Sequence, residues 1–198
     1  MIAVVDYSAG NLTSVMKALD HLGVNAVVTR DPETVTAARK IILPGVGHFS
    51  ATAFLEQTGL RRAILKKIEQ GSPFLGICVG MQWMFESSEE SPASRGLGLF
   101  SGACGRFPEN VKSPHVGWNS LTWHEGSRLF QGLLPGAYVY FTHSFRAPLV
   151  KATVARCEYG GEFCAAVEQG NLFGVQFHPE KSGTTGLRVL ENFCGLSC

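Results

Sequence analysis

Residues 73–82 read Pro-Phe-Leu-Gly-Ile-Cys-Val-Gly-Met-Gln, an apolar run that ends in a cysteine between two glycines. The run predicts a buried strand, and residues 81–85 predict the helix that follows it. The G-x-Cys-x-G spacing is typical of a sharp strand-to-helix elbow, in which the glycines leave room for a strained nucleophile. A cysteine at a helix N-terminus is favoured as the reactive thiolate. Taken alone, the segment also fits a buried structural cysteine beside two packing glycines.

A second segment supplies a base and a carboxylate. Residues 176–180 read Gln-Phe-His-Pro-Glu. Pro179 favours an extended conformation at His178, and in an extended chain His178 and Glu180 point to the same side. Glu180 can then orient the imidazole while the other ring nitrogen takes the proton of Cys78. A lone His-x-Glu is more often a surface pair at a strand end, but together with the cysteine elbow it predicts a catalytic triad.

A third segment, residues 41–47, reads Ile-Ile-Leu-Pro-Gly-Val-Gly and predicts a strand that runs into a Gly-x-Gly loop. Acyl chemistry needs two backbone N–H groups directed at the developing oxyanion. We expect one from Val79 and the other from the loop of Gly45, Val46 and Gly47, because glycine lets the backbone approach a substrate closely. A phosphate-binding loop is the alternative. It is disfavoured because the third glycine of a dinucleotide fingerprint and a Gly-Lys-Ser/Thr sequence are both missing.

Together these segments resemble the class I (triad) glutamine amidotransferase family, and the resemblance covers most of the chain. Within that family the chain is similar to the glutaminase subunits of imidazole glycerol phosphate synthase, an enzyme of histidine biosynthesis. The narrower resemblance is carried by Asp6-Tyr7, Gly10-Asn11-Leu12, Pro114-His115-Val116-Gly117-Trp118-Asn119 and Tyr140-Phe141-Thr142-His143-Ser144-Phe145. The chain departs from the usual pattern at Ser8-Ala9, at Val116, where Met is expected, and at Phe145, where Tyr is common. None of these departures falls on the triad.

The resemblance implies that glutamine is hydrolysed to glutamate and ammonia through a cysteine thioester, without a cofactor. The residues implied to hold the glutamine are Gly45, Gly47, Gln82, Ser144 and Phe145. Gln82 lies one helical turn beyond Cys78, so it is expected to face the same pocket. Its alternative is a solvent-facing helix residue. For His143, a structural hydrogen-bonded histidine near a strand end is at least as well supported as a functional one.

The resemblance also implies a protein partner, a cyclase subunit with a (β/α)8 barrel that forms a heterodimer with this chain and receives the ammonia. The candidates for the contact surface are Trp118, Asn119, Tyr140 and Lys181. Exposed Trp and Tyr residues are common hot spots of interfaces, although a Trp is more often a core residue.

Two other classes of function remain open at this point. The chain could be the glutaminase subunit of another synthase, such as a pyridoxal phosphate, anthranilate or aminodeoxychorismate synthase, but the Val-Gly-Trp-Asn segment argues against this. It could also be a non-amidotransferase cysteine hydrolase or a catalytically silent binding subunit. The presence of Cys78, His178 and Glu180 together argues against a silent subunit.

Composition agrees with one globular enzyme domain over residues 1–198. The chain is 45% hydrophobic and 17% charged, and 17 basic against 16 acidic residues give a net charge of +1. This balance indicates neither a nucleic-acid nor an anionic-membrane partner. The first apolar run ends at Asp6 without a preceding basic region, so no signal peptide is expected. The 6 cysteines show no Cys-x-x-Cys spacing, so we expect no metal site, a reducing cytoplasmic location, and free thiols apart from the nucleophile.

The periodicity predicts an α/β fold, a single-domain open and mostly parallel sheet with flanking helices, extended by antiparallel strands. The predicted strands are 2–5, 25–29, 41–43 and 74–77, followed after a polar loop at 86–96 by 99–107, 138–141, 153–158, 162–167 and 172–176. The first four are expected to be buried on both faces. Helices are predicted between Asn11 and Gly23, over residues 60–68 before Gly71, and around Leu187–Phe193.

Overall fold

The structure is a computed structural model in which residues 1–197 are described. Its strands are β1 Ile2–Val5, β2 Ala26–Thr29, β3 Lys40–Gly45, β4 Phe74–Cys78, β5 Phe85–Ser88, β6 Phe100–Arg106, β7 His115–Ser120, β8 Thr122–Trp123, β9 Tyr138–His143, β10 Phe145–Arg146, β11 Thr153–Glu158, β12 Glu162–Gln169 and β13 Leu172–Val175. Its helices are α1 Leu12–His21, α2 Pro32–Ala37, α3 Ala53–Gln57, α4 Leu60–Glu69, α5 Val79–Gln82 and α6 Gly183–Gly195, with 3₁₀ turns at Phe49–Thr52 and Pro179–Lys181.

An eight-stranded sheet in the order β2-β1-β3-β4-β13-β12-β11-β8 forms the centre of the molecule. The strands from β2 to β13 run parallel to their neighbours, and β12, β11 and β8 extend the sheet in antiparallel fashion. Helix α1 packs on α6, and α2 packs on α4. The predicted α/β class, with a mostly parallel sheet extended by antiparallel strands, is therefore confirmed.

The strands nearest the middle of this sheet are buried along their whole length, as their unbroken apolar sequences predict. Every residue of β1, β3 and β4 is buried. The same expectation is wrong for β2, where only Thr29 is buried. The reason is position, because β2 is the edge strand and has one neighbour only.

Three helix boundaries predicted from sequence are confirmed. The side chain of Asn11 accepts a hydrogen bond from the N–H of Ser14 at the start of α1. Gly23 and Gly71 follow α1 and α4 with φ angles of 67° and 81°, the left-handed conformation that glycine adopts without strain.

The segment after the cysteine elbow differs from the prediction. Helix α5 ends at Gln82, and the chain turns directly into β5, which pairs with β6. The carbonyls of Trp83 and Met84 accept hydrogen bonds from the N–H groups of Leu97 and Leu99. These carbonyls are therefore not used to continue the helix. Consequently residues 86–88, predicted as loop, belong to a strand.

The cysteines of the described residues, Cys78, Cys104, Cys157, Cys164 and Cys194, are all free thiols. Cys157 and Cys164 lie on the β11–β12 hairpin but are not opposite each other, since Cys157 pairs with Phe163 and Cys164 with Arg156. Cys198 lies outside the described residues. Within residues 1–197, the helices are too short or too polar to cross a membrane.

We predict that Gly80→Ala strongly destabilises the fold. A Cβ at residue 80 would overlap the carbonyl oxygen of Leu43 on β3. Since backbone cannot yield as a flexible side chain can, we expect the free energy of unfolding in urea to fall by about 2 kcal/mol or more. The control is Gly195→Ala at the end of α6, where an added Cβ meets no atom within 4 Å. Equal stability of the two variants would contradict the prediction.

Candidate active site

Cys78 has the strained backbone that the elbow sequence predicts. It is the last residue of β4, and its φ and ψ angles are 53° and −109°. A non-glycine residue with positive φ is uncommon and often marks a functional site. The flanking glycines make this conformation possible. A Cβ on Gly76 would lie 2.5 Å from the carbonyl oxygen of Gly80, so any larger residue would push α5 away from β4.

His178 and Glu180 form the second part of the site. Their side chains are almost completely buried, and Nδ1 of His178 lies 2.8 Å from Oε1 of Glu180. His178 is extended, as predicted from Pro179, with φ −99° and ψ 97°. The chain beyond it is not extended, however, because Pro179–Lys181 forms a 3₁₀ turn. This turn, and not strand alternation, brings Glu180 back to the imidazole.

The charges at this site favour an ion pair. Burial alone would lower the pKa of His178, but the Cys78 thiolate and the Glu180 carboxylate outweigh burial and raise this pKa to about 10. At neutral pH the imidazole of His178 therefore carries a proton. Within residues 1–197, Nε2 of His178 has no hydrogen-bond partner although it is buried. This nitrogen is thus left to exchange a proton with a reacting group.

The predicted oxyanion loop leaves β3 beside the nucleophile. Gly45 is the register partner of Cys78 across β3 and β4. A Cβ on Gly45 would lie 2.5 Å from Oη of Tyr7 and 2.7 Å from N of Gly80, so only glycine permits this close approach. Gly47 has φ +108°. On the other side, the N–H of Val79 begins α5 and has no partner within that helix.

Gln82 faces the interior, which excludes the solvent-facing alternative. It is 2% exposed, and its Nε2 donates to the carbonyl of Phe145 at 2.8 Å and to Oε1 of Gln176 at 3.1 Å. Gln82 thus joins α5 to the segment of Ser144 and Phe145, both half-buried. The implied glutamine-binding residues on these segments are therefore held next to the elbow.

His143 is fully engaged in the interior. Its Nδ1 lies 2.8 Å from the carbonyl of Phe145, and its Nε2 lies 3.2 Å from Nδ1 of His115. Burial lowers the pKa of His143 to about 3 and that of His115 to about 4. Both rings are neutral at neutral pH, and both nitrogens of His143 are occupied. These contacts support the structural interpretation of His143 and argue against a second base.

Three of the four candidate contact residues meet on one surface. Trp118 is 55% exposed, and the centre of its ring lies 6.1 Å from the centre of the Tyr140 ring. Nζ of Lys181 lies 5.8 Å from the centre of the Tyr140 ring. We call Trp118, Tyr140 and Lys181 the aromatic face. Large exposed apolar side chains occur on the same hairpin or near it at Val116, Tyr138 and Leu134.

Asn119 does not belong to this face, in contrast to the sequence expectation. It alternates with Trp118 along β7 and therefore points to the opposite side. Its Nδ2 donates to the carbonyl of Glu158 at 3.1 Å and lies 3.5 Å from Nε2 of His115. Asn119 therefore lies beside His115, on the face of β7 opposite Trp118.

Two residues that support the candidate site were not identified from sequence. Gln176 is completely buried, and its Nε2 donates to Sγ of Cys78 at 3.6 Å. Its place two residues before His178 is a signal that could have indicated it, since alternate residues of an extended chain share a side. Glu90, in the segment predicted as polar loop, accepts a hydrogen bond from the N–H of Phe49 at 2.7 Å and so supports the turn after the oxyanion loop.

The remaining described cysteines have a different environment. Burial raises the pKa of Cys157 and of Cys164 to about 12 and that of Cys194 to about 11, and it raises the pKa of Cys104 still further. These residues are protonated thiols at neutral pH. Cys78 differs from these cysteines because it lies beside the protonated imidazole of His178, and this contact favours it as the nucleophile.

Comparison with known proteins places the chain in one family. The family model described as Glutamine amidotransferase class-I matches residues 3–195. The chain is 49% identical over 195 residues to an imidazole glycerol phosphate synthase subunit HisH of Moorella thermoacetica, covering 97% of this chain and 93% of that one. It is also 49% identical to the subunit of the same name from Methanothermobacter thermautotrophicus, covering 98% and 97% of the two chains.

Solved structures show the same fold at lower identity. One described as a crystal structure of glutamine amidotransferase has a TM-score of 0.77 at 21% identity, covering 99% of this chain and 100% of the other. The structure of PurLQS from Thermotoga maritima has a TM-score of 0.72 at 24% identity, covering 97% and 96% of the two chains.

The buried histidine pair predicts a loss of stability in mild acid. Because both pKa values are depressed, the unfolded chain binds protons below pH 6.5, whereas the folded chain does so only near pH 4 or lower. The free energy of unfolding in urea should therefore fall across this window, by up to about 1.4 kcal/mol per pH unit for each histidine. His115→Gln should reduce that slope, while His21→Gln, at an exposed position on α1, should not. An unchanged slope in His115→Gln would show that other groups dominate.

Proposed function

This chain belongs to the class I glutamine amidotransferase family, and we infer that it is the glutaminase subunit of imidazole glycerol phosphate synthase, hydrolysing glutamine to glutamate and ammonia for histidine biosynthesis. The observation that carries this assignment is the 49% identity to two synthase subunits over nearly the full length of each chain. The strained backbone of Cys78 and the contact between His178 and Glu180 support a mechanism in which a cysteine is the nucleophile.

We propose that Cys78, His178 and Glu180 act as a catalytic triad. The Cys78 thiolate attacks the side-chain amide carbon of glutamine, a C–S bond forms, and the carbonyl electron pair moves to oxygen. When this intermediate collapses, the C–N bond breaks and Nε2 of His178 gives its proton to the amide nitrogen, which leaves as ammonia. Deprotonated His178 then takes a proton from water while the hydroxide attacks the thioester carbon. The C–S bond breaks, its electron pair returns to Cys78 as the thiolate, and glutamate leaves. Glu180 keeps the imidazole oriented and stabilises its charged form.

The developing oxyanion needs backbone donors. We propose that the N–H of Val79 supplies one and that the loop of Val46 and Gly47 supplies the other. The proposal is supported by the register that sets this loop beside Cys78. Loss of one such donor typically costs about 3 kcal/mol of transition-state stabilisation. In the same proposal, glutamine is held by Gly45, Gly47, Gln82, Ser144 and Phe145.

The chemistry of the product favours a protein partner. Ammonia released into water at neutral pH becomes ammonium, which is not a nucleophile, so it has to reach its acceptor before it is protonated. We propose that a (β/α)8-barrel cyclase docks on the aromatic face and receives ammonia through a passage. The exposure of Trp118 supports this proposal, because a Trp exposed by 55% beside further apolar side chains is typical of an interface. The free thiols agree with a reducing, cytoplasmic location.

The triad predicts selective loss of glutamine chemistry. Cys78→Ser should abolish glutamine hydrolysis, and the complex with the cyclase should still form product from added ammonia. His178→Ala should be nearly as damaging because triad members act as a unit, and Glu180→Gln should be milder but still large. The measurements are glutamate release and cyclase product. Turnover close to that of the native protein in His178→Ala would place the base elsewhere.

A labelling experiment is the control for the nucleophile. A diazo-ketone analogue of glutamine should modify Cys78 far faster than the other five cysteines, as measured by peptide mass mapping. First modification of Cys104 or Cys198 with Cys78 untouched would reject the assignment.

The aromatic face predicts partner-specific effects. Trp118→Ala should weaken association with the cyclase by about 2 kcal/mol, the scale of an aromatic hot spot, as measured by calorimetric titration. The matched control is Val28→Ala, an apolar residue exposed by 38% on the edge strand β2. Lys181→Ala should raise the ratio of glutamate formed to cyclase product above one if ammonia leaks. Native affinity in Trp118→Ala would place the interface elsewhere.

A further inference from the structure

The side chain of Gln176 contacts the nucleophile directly. Its Nε2 lies 3.6 Å from Sγ of Cys78, and the residue has no exposed surface. Sγ also lies 4.0 Å from the carbonyl oxygen of Thr142. A carbonyl can only accept, so it favours the protonated thiol. An amide N–H donates, so it favours the thiolate.

The orientation of the Gln176 amide is fixed by a chain of donors and acceptors. The carbonyl of Phe145 can only accept, so the amide group of Gln82 must direct its nitrogen toward it. The second hydrogen on that nitrogen then points to Gln176, which must present its oxygen at 3.1 Å. With its oxygen engaged in this way, Gln176 has only its N–H₂ group left to face Cys78. The reverse orientation would set two donors against each other.

The buried histidines His143 and His115 extend this chain of donors and acceptors. Since the Phe145 carbonyl accepts, Nδ1 of His143 carries the hydrogen and Nε2 is the acceptor for Nδ1–H of His115. Burial lowers the pKa of both rings, so both stay neutral, as this arrangement requires. The Phe145 carbonyl is thereby held by two donors and cannot rotate to release Gln82.

We propose that Gln176 is a further catalytic residue, which stabilises the thiolate of Cys78 by donating a hydrogen bond from Nε2 and holds Sγ in position for attack. The proposal rests on the proposed role of Cys78 as the nucleophile. The same donor serves twice in a turnover. It stabilises the thiolate before attack on the amide and again when the C–S bond of the thioester intermediate breaks.

The test measures alkylation of Cys78 by iodoacetamide against pH, with the modified peptide quantified by mass spectrometry. Gln176→Met keeps the length of the side chain and removes the donor. We expect the midpoint of the pH profile to move upward by about one unit, so that the alkylation rate at pH values below the native midpoint falls about tenfold. Gln176→Glu, which has the native shape but adds a negative charge, should shift the midpoint further. The matched control is Gln169→Met, at an exposed glutamine on β12.

A role limited to packing would leave this midpoint unchanged, so a folded Gln176→Met variant with the native profile overturns the proposal. If that variant does not fold, the native protein provides the measurement. The side-chain amide signal of Gln176 in a nitrogen–proton NMR spectrum should shift with the midpoint of alkylation and should stay constant in Cys78→Ala. A signal that ignores Cys78 ionisation also overturns the proposal. If Cys78 alkylates normally but the complex with the cyclase does not hydrolyse glutamine, the proposed function is refuted and this inference stands.

Discussion

The close approach of backbone to backbone at the cysteine elbow is the constraint on which the site depends. Gly76 and Gly80 let α5 begin directly against β4, and Gly80 lies against the carbonyl of Leu43 on β3. A positive φ at Cys78 costs free energy and persists only where the surrounding structure enforces it. These contacts provide that constraint. The same packing sets the Gly45–Gly47 loop beside the nucleophile. The strained backbone of Cys78, the position of the proposed oxyanion loop and the start of α5 are therefore consequences of one packing arrangement.

The interior behind the nucleophile is polar but ordered by the direction of its hydrogen bonds. Acceptors that cannot donate, above all the Phe145 carbonyl, fix which atoms of Gln82 and His143 face them. Such a network gives one orientation to each amide and one tautomer to each ring, provided that the histidines remain neutral. Burial keeps them so. The triad histidine is also buried, yet its pKa is raised, because the Cys78 thiolate and the Glu180 carboxylate lie next to it. Burial alone therefore does not decide the charge of a histidine in this protein.

The elbow and the central strands could be predicted from the sequence, because each depends on local spacing or on unbroken apolar runs. The same kind of spacing is what led to Cys78, His178 and Glu180 as the proposed triad. The elements that could not be predicted depend on contacts between distant residues. Helix α5 stops early because residues near 97 bind the carbonyls of Trp83 and Met84. Glu180 meets His178 through a 3₁₀ turn that alternation does not describe. Asn119 was assigned to the contact surface with Trp118, but alternation along β7 directs it inward. Alternation indicates that Gln176 shares a side with His178, but its contact with Cys78 depends on the pairing of β13 with β4.

Strand β9 connects the aromatic face to His178 and Cys78. The ring of Tyr140 belongs to that face, while its carbonyl accepts a hydrogen bond from the N–H of His178 at 2.9 Å. Two residues further along, the carbonyl of Thr142 lies 4.0 Å from Sγ of Cys78. A partner that moved Tyr140 would therefore act on the backbone groups that position both the base and the nucleophile. This shared strand would let the proposed partner influence the proposed triad, and double-mutant cycles between Tyr140 and Thr142 would measure how strongly the two positions are coupled.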